Sequence, residues 1–214
     1  MQAIILSLLY LLSFCIFIFT TFSDKYHKYR PLTKTITSII FVLSYLILDA
    51  SKPLMLIALI LCMLGDFFLG IIKNDKKIFM IQGLVCFMMA HIIYIYLMCQ
   101  DISFKLTDLI IPIIGLLFIY FISHKLKMDL KNKALPIYLY SFIVFFMGSK
   151  ALYILLYSTH SGADVFAIGG ILFLISDLIL LFLYFKFKNN TKLQLANSIL
   201  YYLAQYLMVI SFLI

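Results

Sequence analysis

Long apolar stretches separated by short polar loops dominate this chain from one end to the other. Of its 214 residues, 65% are hydrophobic and 12% are charged. Soluble domains are about 45–50% apolar and about 25% charged. A helix needs about 20 apolar residues to cross the hydrocarbon core of a bilayer. The composition therefore predicts an integral membrane protein and excludes an ordinary soluble domain.

Eight stretches are apolar and long enough to span. Because only helices and closed barrels satisfy their own backbone hydrogen bonds in lipid, stretches of this length predict an all-α, polytopic protein. We expect one integral membrane domain over residues 1–214, with eight transmembrane helices. The predicted spans are approximately 2–22, 35–50, 53–72, 79–98, 107–123, 135–157, 165–185 and 195–214.

The basic residues predict which way each span runs. All but three of the 17 Lys and Arg residues fall in four loops, and these alternate with loops that carry almost none. Basic loops stay in the cytoplasm, so the pattern predicts that both termini lie outside. We expect the protein to lie in a bacterial inner membrane. We expect these basic loops to bind anionic membrane lipids and not nucleic acid. The four loops carry Lys25, Lys28, Arg30 and Lys34; Lys73, Lys76 and Lys77; Lys125, Lys127, Lys131 and Lys133; and Lys186, Lys188 and Lys192.

Two carboxylates lie inside predicted spans, Asp66 in the third and Asp177 in the seventh. An ionised carboxylate facing hydrocarbon costs about 2.5–3.5 kcal/mol even on insertion scales, so neither is expected to face lipid. At 1.5 Å per residue they lie roughly 9 Å and roughly 12 Å from the cytoplasmic ends of their spans. This similar depth predicts that the two carboxylates share a site.

Polar and small residues continue along one face of three spans at the i, i+3, i+4 spacing of a helix. Together these faces predict an interior cavity with carboxylate, imidazole, phenol and amide groups, and the glycines predict close helix approach. The stripes are Gly169, Gly170, Phe173, Ser176 and Asp177 on span seven; Gly83, Phe87, His91 and Tyr94 on span four; and Ser198, Tyr202 and Gln205 on span eight.

Each of these polar side chains also has a purely structural interpretation. Asp66 and Asp177 could each hydrogen-bond a neighbouring helix, and His91 could be a buried packing residue. The same alternative stays open for the remaining ones, Tyr94, Ser176, Tyr202 and Gln205.

Three lysines lie outside the four basic loops: Lys105 lies in a loop between spans, Lys52 at the end of a span and Lys150 within one. Lys52, beside Pro53 at the outer end of span three, could be an anchor whose ammonium extends to the interface. Lys150 lies inside span six. An ion pair and an outward extension of its side chain are both open interpretations.

Spans three and seven contain similar segments, Leu64–Phe67 and Ile175–Leu178, each with an Asp in the third position. Ala90-His91 on span four and Ala204-Gln205 on span eight correspond at nearly the same offset. Four spans per unit would give a parallel 4+4 repeat about an axis normal to the membrane. Chance similarity between apolar helices is the alternative.

The ordered motifs resemble those of the YhhN membrane family across spans two to eight. They are Ser51-Lys52-Pro53-Leu54, Leu64-Gly65-Asp66, Ala90-His91-Ile92-Ile93-Tyr94, the segment from Gly169 to Asp177, and Tyr202-Leu203-Ala204-Gln205. One departure is Gly148-Ser149-Lys150, where an apolar stretch is expected.

The characterised animal members of that family are lysoplasmalogenases, which hydrolyse the vinyl-ether bond of lysoplasmalogens to a fatty aldehyde and a glycerophospho-alcohol. The resemblance thus implies a hydrolase of lysophospholipids that needs no cofactor and no metal. A lipid carrier or flippase without chemistry is the alternative, and a structural partner of another membrane protein is a third interpretation. The implied site comprises catalytic Asp66, Asp177 and His91, and substrate-binding Lys52, Tyr94, Ser176, Tyr202 and Gln205.

Overall fold

The computed structural model describes residues 2–48, 51–71, 77–128, 130, 133–188 and 190–213. Within these ranges all regular secondary structure is helical, and eight helices are long and apolar enough to cross a membrane, as predicted. The helices are α1 Gln2–Phe22, α2 Arg30–Leu48, α3 Pro53–Gly70, α4 Lys77–Asp101, α5 Ile110–Lys125, α6 Ala134–Tyr157, α7 Ser161–Phe185 and α8 Thr191–Ile210.

Most helix ends differ by a few residues from the predicted spans, because apolarity marks the hydrocarbon core whereas a helix continues into the interface. A 3₁₀ turn over Leu106–Leu109 precedes α5, and another over Ser211–Leu213 follows α8. The predicted span residues 49, 50, 72 and 214, and the loop residues Lys73, Lys76 and Lys131, lie outside the described residues.

The largest difference lies at α2, which begins at Arg30 instead of residue 35. Pro31 occupies its first turn, where a proline costs no helical hydrogen bond and its fixed φ favours the helix. The hydroxyl of Thr35 donates to the carbonyl of Pro31 at 2.9 Å, which is a helical contact. The assignment of Arg30 and Lys34 to a loop was therefore wrong, since both project from α2.

The described helices form two compact units, mainly Met1–Ile93 and Tyr94–Phe212. In the first unit α1 packs on α2 and α2 on α3. In the second unit α5, α6, α7 and α8 pack in sequence, with the most extensive contact between α7 and α8. Short connections favour such packing of sequence neighbours. The 4+4 repeat stays a prediction.

Glycines on α7 allow the close packing that their spacing predicts. A Cβ placed on Gly169 would lie 2.8 Å from Cγ of Met208 and 3.0 Å from the carbonyl oxygen of Ala204, both on α8. One placed on Gly170 would lie 2.8 Å from the methyl carbon of Met98. Ordinary carbon–carbon contact is about 3.5–4.0 Å, so a side chain at either position would push its neighbours away. The prediction of close helix approach is confirmed.

Lys150, inside α6, forms an ion pair with Asp108 in the connection before α5. Its Nζ lies 3.1 Å from Asp108 Oδ2 and donates to the carbonyls of Ile102 at 2.7 Å and Ser103 at 3.2 Å. The hydroxyl of Ser149 donates to the Asp108 carbonyl at 3.0 Å. Of the two interpretations, the ion pair is confirmed and outward extension is wrong. The departure from the family pattern thus attaches the α4–α5 connection to α6.

We expect Lys150→Met to lower the free energy of unfolding by about 3–5 kcal/mol, because it leaves the Asp108 charge buried without its ammonium. Thermal unfolding in detergent micelles measures this loss. The matched control is Lys105→Met, which removes an exposed lysine from the same connection. Equal destabilisation by the two substitutions would contradict the ion pair. The pair would also be contradicted if the double variant Lys150→Met/Asp108→Asn lost as much free energy of unfolding as the two single variants together.

Candidate functional site

Asp66, the carboxylate of α3, is held by two side chains of α2. Ser38 Oγ donates to Oδ2 at 2.5 Å, and Lys34 Nζ lies 2.8 Å from Oδ1. The Asp66 side chain is 1% exposed and that of Lys34 is 16% exposed. Both side-chain oxygens of Asp66 therefore face hydrogen-bond donors of α2.

The sequence analysis missed Lys34 and Ser38 as partners of Asp66. A signal was present, since Arg30, Lys34 and Ser38 are spaced by four residues and so share one face of a helix. The row was not recognised, because Arg30 and Lys34 were assigned to a loop. A basic residue one turn inside a span can remain there when a buried carboxylate pairs with it.

His91 on α4 is fully buried, and its Nδ1 lies 2.6 Å from the carbonyl oxygen of Phe87. Because a carbonyl only accepts, Nδ1 is the donor in this contact. The ring of Phe87 packs on α3, where a Cβ placed on Gly65 would lie 2.6 Å from its Cε2. Phe87 thus places α4 beside the residue preceding Asp66.

Lys52 lies at the other end of α3. It is the N-terminal cap residue, half-buried, and the fully buried Tyr45 holds its backbone. The Lys52 N–H donates to the Tyr45 hydroxyl at 2.9 Å, and that hydroxyl donates to the Lys52 carbonyl at 3.1 Å. At 1.5 Å per residue Lys52 is roughly 20 Å from Asp66 along the helix. Lys52 and Asp66 are therefore not brought together, and substrate binding by Lys52 stays a prediction.

In the second unit, Asp177 on α7 accepts a hydrogen bond from the hydroxyl of Tyr140 on α6 at 2.7 Å. The Asp177 residue is 7% exposed. Its neighbour Ser176 donates to Asn197 on α8, to the carbonyl oxygen at 3.2 Å and to the side-chain Oδ1 at 3.1 Å. Consecutive residues of α7 thus contact α6 and α8. The sequence analysis singled out neither Tyr140 nor Asn197.

Tyr94 and Gln205 meet in the second unit, as their predicted common role requires. The Tyr94 hydroxyl donates to Gln205 Oε1 at 3.3 Å, and both residues are fully buried. The Tyr94 ring centre lies 5.9 Å from that of Phe166 and 6.3 Å from that of Phe173. Gln205 Nε2 is also buried and has no hydrogen-bond partner within the described part of the chain. The Gln205 amide thus lies next to an aromatic cluster formed by Tyr94, Phe166 and Phe173.

Tyr202 extends this aromatic cluster. It is buried, and its ring centre lies 4.9 Å from that of Tyr201, which lies 5.2 Å from that of Phe173. Edge-to-face contacts of this kind fix ring positions and add about 0.5–1.5 kcal/mol each. Every residue of the three predicted stripes on α4, α7 and α8 is buried, which confirms the helical faces that the spacing predicts.

We expect Ser38→Ala to lower the free energy of unfolding by about 1–3 kcal/mol, because a buried carboxylate oxygen loses its hydroxyl donor. Thermal unfolding in detergent measures the change, and Ser44→Ala is the control because Ser44 is a buried serine on the same helix. Loss of stability in the control but not in Ser38→Ala would contradict the contact.

The comparisons with known proteins agree with the motifs. The model of the YhhN family matches residues 29–212, which include α2 to α8 and all the predicted site residues. The comparison with curated proteins gives no match, and neither does the comparison with solved structures. A match over most of the length of the chain establishes the relationship. This protein therefore belongs to the YhhN family.

Proposed function

We propose that this protein is a hydrolase that cleaves the vinyl-ether bond of a lysoplasmalogen-type lysolipid within the membrane. Its membership of the YhhN family supports the proposal, because the characterised animal members of that family are lysoplasmalogenases. The observation that carries it is a difference between two buried carboxylates. Asp66 is paired with an ammonium group, whereas Asp177 is hydrogen-bonded to a phenol.

The reaction needs an acid and a carboxylate. A proton adds to the β-carbon of the vinyl ether and produces an oxocarbenium ion. Water then adds to this cation, releases a proton, and gives a hemiacetal that collapses to the fatty aldehyde and the glycerophospho-alcohol. Glycosidases also pass through an oxocarbenium-like transition state, and two carboxyl groups share the catalytic roles there.

The hydrogen-bond partners suit Asp66 and Asp177 to different roles. Because Lys34 can only donate, Asp66 fits the ionised carboxylate that stabilises the cation. The hydroxyl of Tyr140 can donate to a carboxylate and accept from a carboxylic acid, so it holds Asp177 in both states. Asp177 thus gives the proton to carbon and recovers one from water. His91 Nε2 assists this proton movement.

The remaining polar residues bind substrate in this proposal. Gln205 Nε2 has a buried amide N–H that can donate to a glycerol oxygen, and Tyr94 orients that amide. Ser176 and Tyr202 add hydroxyl groups to the binding site. Lys52 adds an ammonium group at the opposite end of α3. The reaction takes place in a bacterial inner membrane, with both termini of the chain outside.

The test is aldehyde release by purified protein from lysoplasmalogen in detergent. We expect Asp177→Asn and Asp66→Asn to lower kcat at least about 100-fold, because general acid–base groups contribute about 10²–10⁴. The matched control is Asp164→Asn in the first turn of α7, which should retain wild-type turnover. Turnover retained by either test variant removes that carboxylate from the mechanism. Lysolipid binding by the wild-type protein without aldehyde would indicate a carrier instead.

Tyr140→Phe removes the hydroxyl from Asp177 while it keeps the ring. We expect kcat for aldehyde release to fall about tenfold with little change in KM, as expected when one hydrogen bond to the reacting acid is lost. Tyr138→Phe is the control, because it removes another tyrosine hydroxyl of α6, which lies 3.1 Å from Ser123 Oγ on α5. Equal losses in the two variants would indicate a structural effect.

A further inference from the structure

A row of α2 side chains ends in a cation without a matching carboxylate on α3. Arg30, Lys34 and Ser38 are spaced by four residues, and the last two hold Asp66. One turn beyond Asp66, at the level of Arg30, α3 has Gly70 and hence no side chain. A Cβ placed on Gly70 would lie 3.4 Å from Cα of Pro31. This contact places the Arg30 end of α2 against the turn of α3 that contains Gly70.

One nitrogen of the Arg30 guanidinium lacks a partner within the described residues. Its Nε is buried there and has no hydrogen-bond partner. With Lys34 paired to Asp66, the row carries one excess positive charge. Buried donors in proteins are almost always satisfied, and none of the described residues supplies an acceptor for this one.

α4 brings an atom of the opposite kind to the same end of α3. Gly83 packs on Leu69 and lies, by its added Cβ, 3.3 Å from the Gly65 carbonyl oxygen. The preceding residue is Gln82, whose Oε1 is buried and has no hydrogen-bond partner in the described ranges. The helices that pack on this end of α3 thus include a buried donor on α2 and a buried acceptor on α4 that have no partner among the described residues.

We propose that this end of the first unit binds the phosphodiester head group of the lysolipid, an inference that rests on the proposed hydrolysis. Arg30 donates to the phosphate oxygens, a contact for which the planar guanidinium is well shaped. Gln82 accepts a hydrogen bond from a donor on the same head group. The sequence analysis assigned neither Arg30 nor Gln82 to the substrate.

The spacing along α2 agrees with the length of the substrate. Arg30 lies about 6–12 Å along the helix axis from Lys34 and Ser38, the residues that hold Asp66. About seven covalent bonds separate the phosphorus from the β-carbon of the vinyl ether, or roughly 8–9 Å when extended. A phosphate at Arg30 therefore brings the reacting carbon to the level of Asp66. Lys52, at the opposite end of α3, is too far along the helix to bind the same phosphate.

The test compares two substrates in neutral detergent: a lysoplasmalogen with an ethanolamine head group, and a 1-alkenylglycerol that lacks the phosphate. We expect Arg30→Gln to lower the ratio of their kcat/KM values about 30-fold, the effect of losing a charged hydrogen-bond donor. Arg30→Lys should lower it less, and Gln82→Leu several-fold. The control is Lys28→Gln, an exposed lysine in the preceding turn, which should leave the ratio as in the wild type.

The outcomes separate the two proposals. No aldehyde from either substrate with wild-type protein refutes the hydrolysis itself. Cleavage of both substrates with the same ratio in Arg30→Gln as in the wild type overturns only the head-group site, and is expected if Arg30 instead binds a bulk membrane lipid. Thermal unfolding identifies a misfolded Arg30→Gln, in which case Arg30→Lys decides by the same ratio.

Discussion

The cost of placing charge in hydrocarbon governs this structure. Each buried charge needs a partner of opposite sign, and that partner must come from another part of the chain. Lys34 meets this need for Asp66, and Asp108 meets it for Lys150. The first pair joins α2 to α3, and the second joins α6 to the connection before α5. Charges that look like irregularities in an apolar sequence therefore fix which segments are neighbours.

The same pairing shapes the chemistry of the two carboxylates. Asp66 meets a group that only donates, whereas Asp177 meets a hydroxyl that both donates and accepts. The two carboxylates therefore differ in the groups that hold them. The proposed mechanism uses this difference to separate the acid role from the stabilising role, as enzymes with paired carboxyl groups do.

Sequence reasoning succeeded where a feature repeats along one helix. The glycine-containing stripe of α7 and the polar faces of α4 and α8 follow from helical spacing, and all are buried. It failed at the start of α2, because apolarity marks the lipid-embedded part of a helix and not its first turn. Counting Arg30 and Lys34 as loop residues removed from view the row that holds Asp66. Tyr140 was missed because one tyrosine in an apolar helix carries no local signal.

The sequence by itself determined the number of spans, the all-α class, the family and the inward faces of three helices. These depend on composition and on a period of 3.6 residues, which are local properties. Only the tertiary structure decided that Lys34 pairs with Asp66, that Lys150 pairs with Asp108, and that Tyr140 bonds to Asp177. Partner choice depends on which helices pack together and in which register, and in a uniformly apolar chain many registers bury the same area.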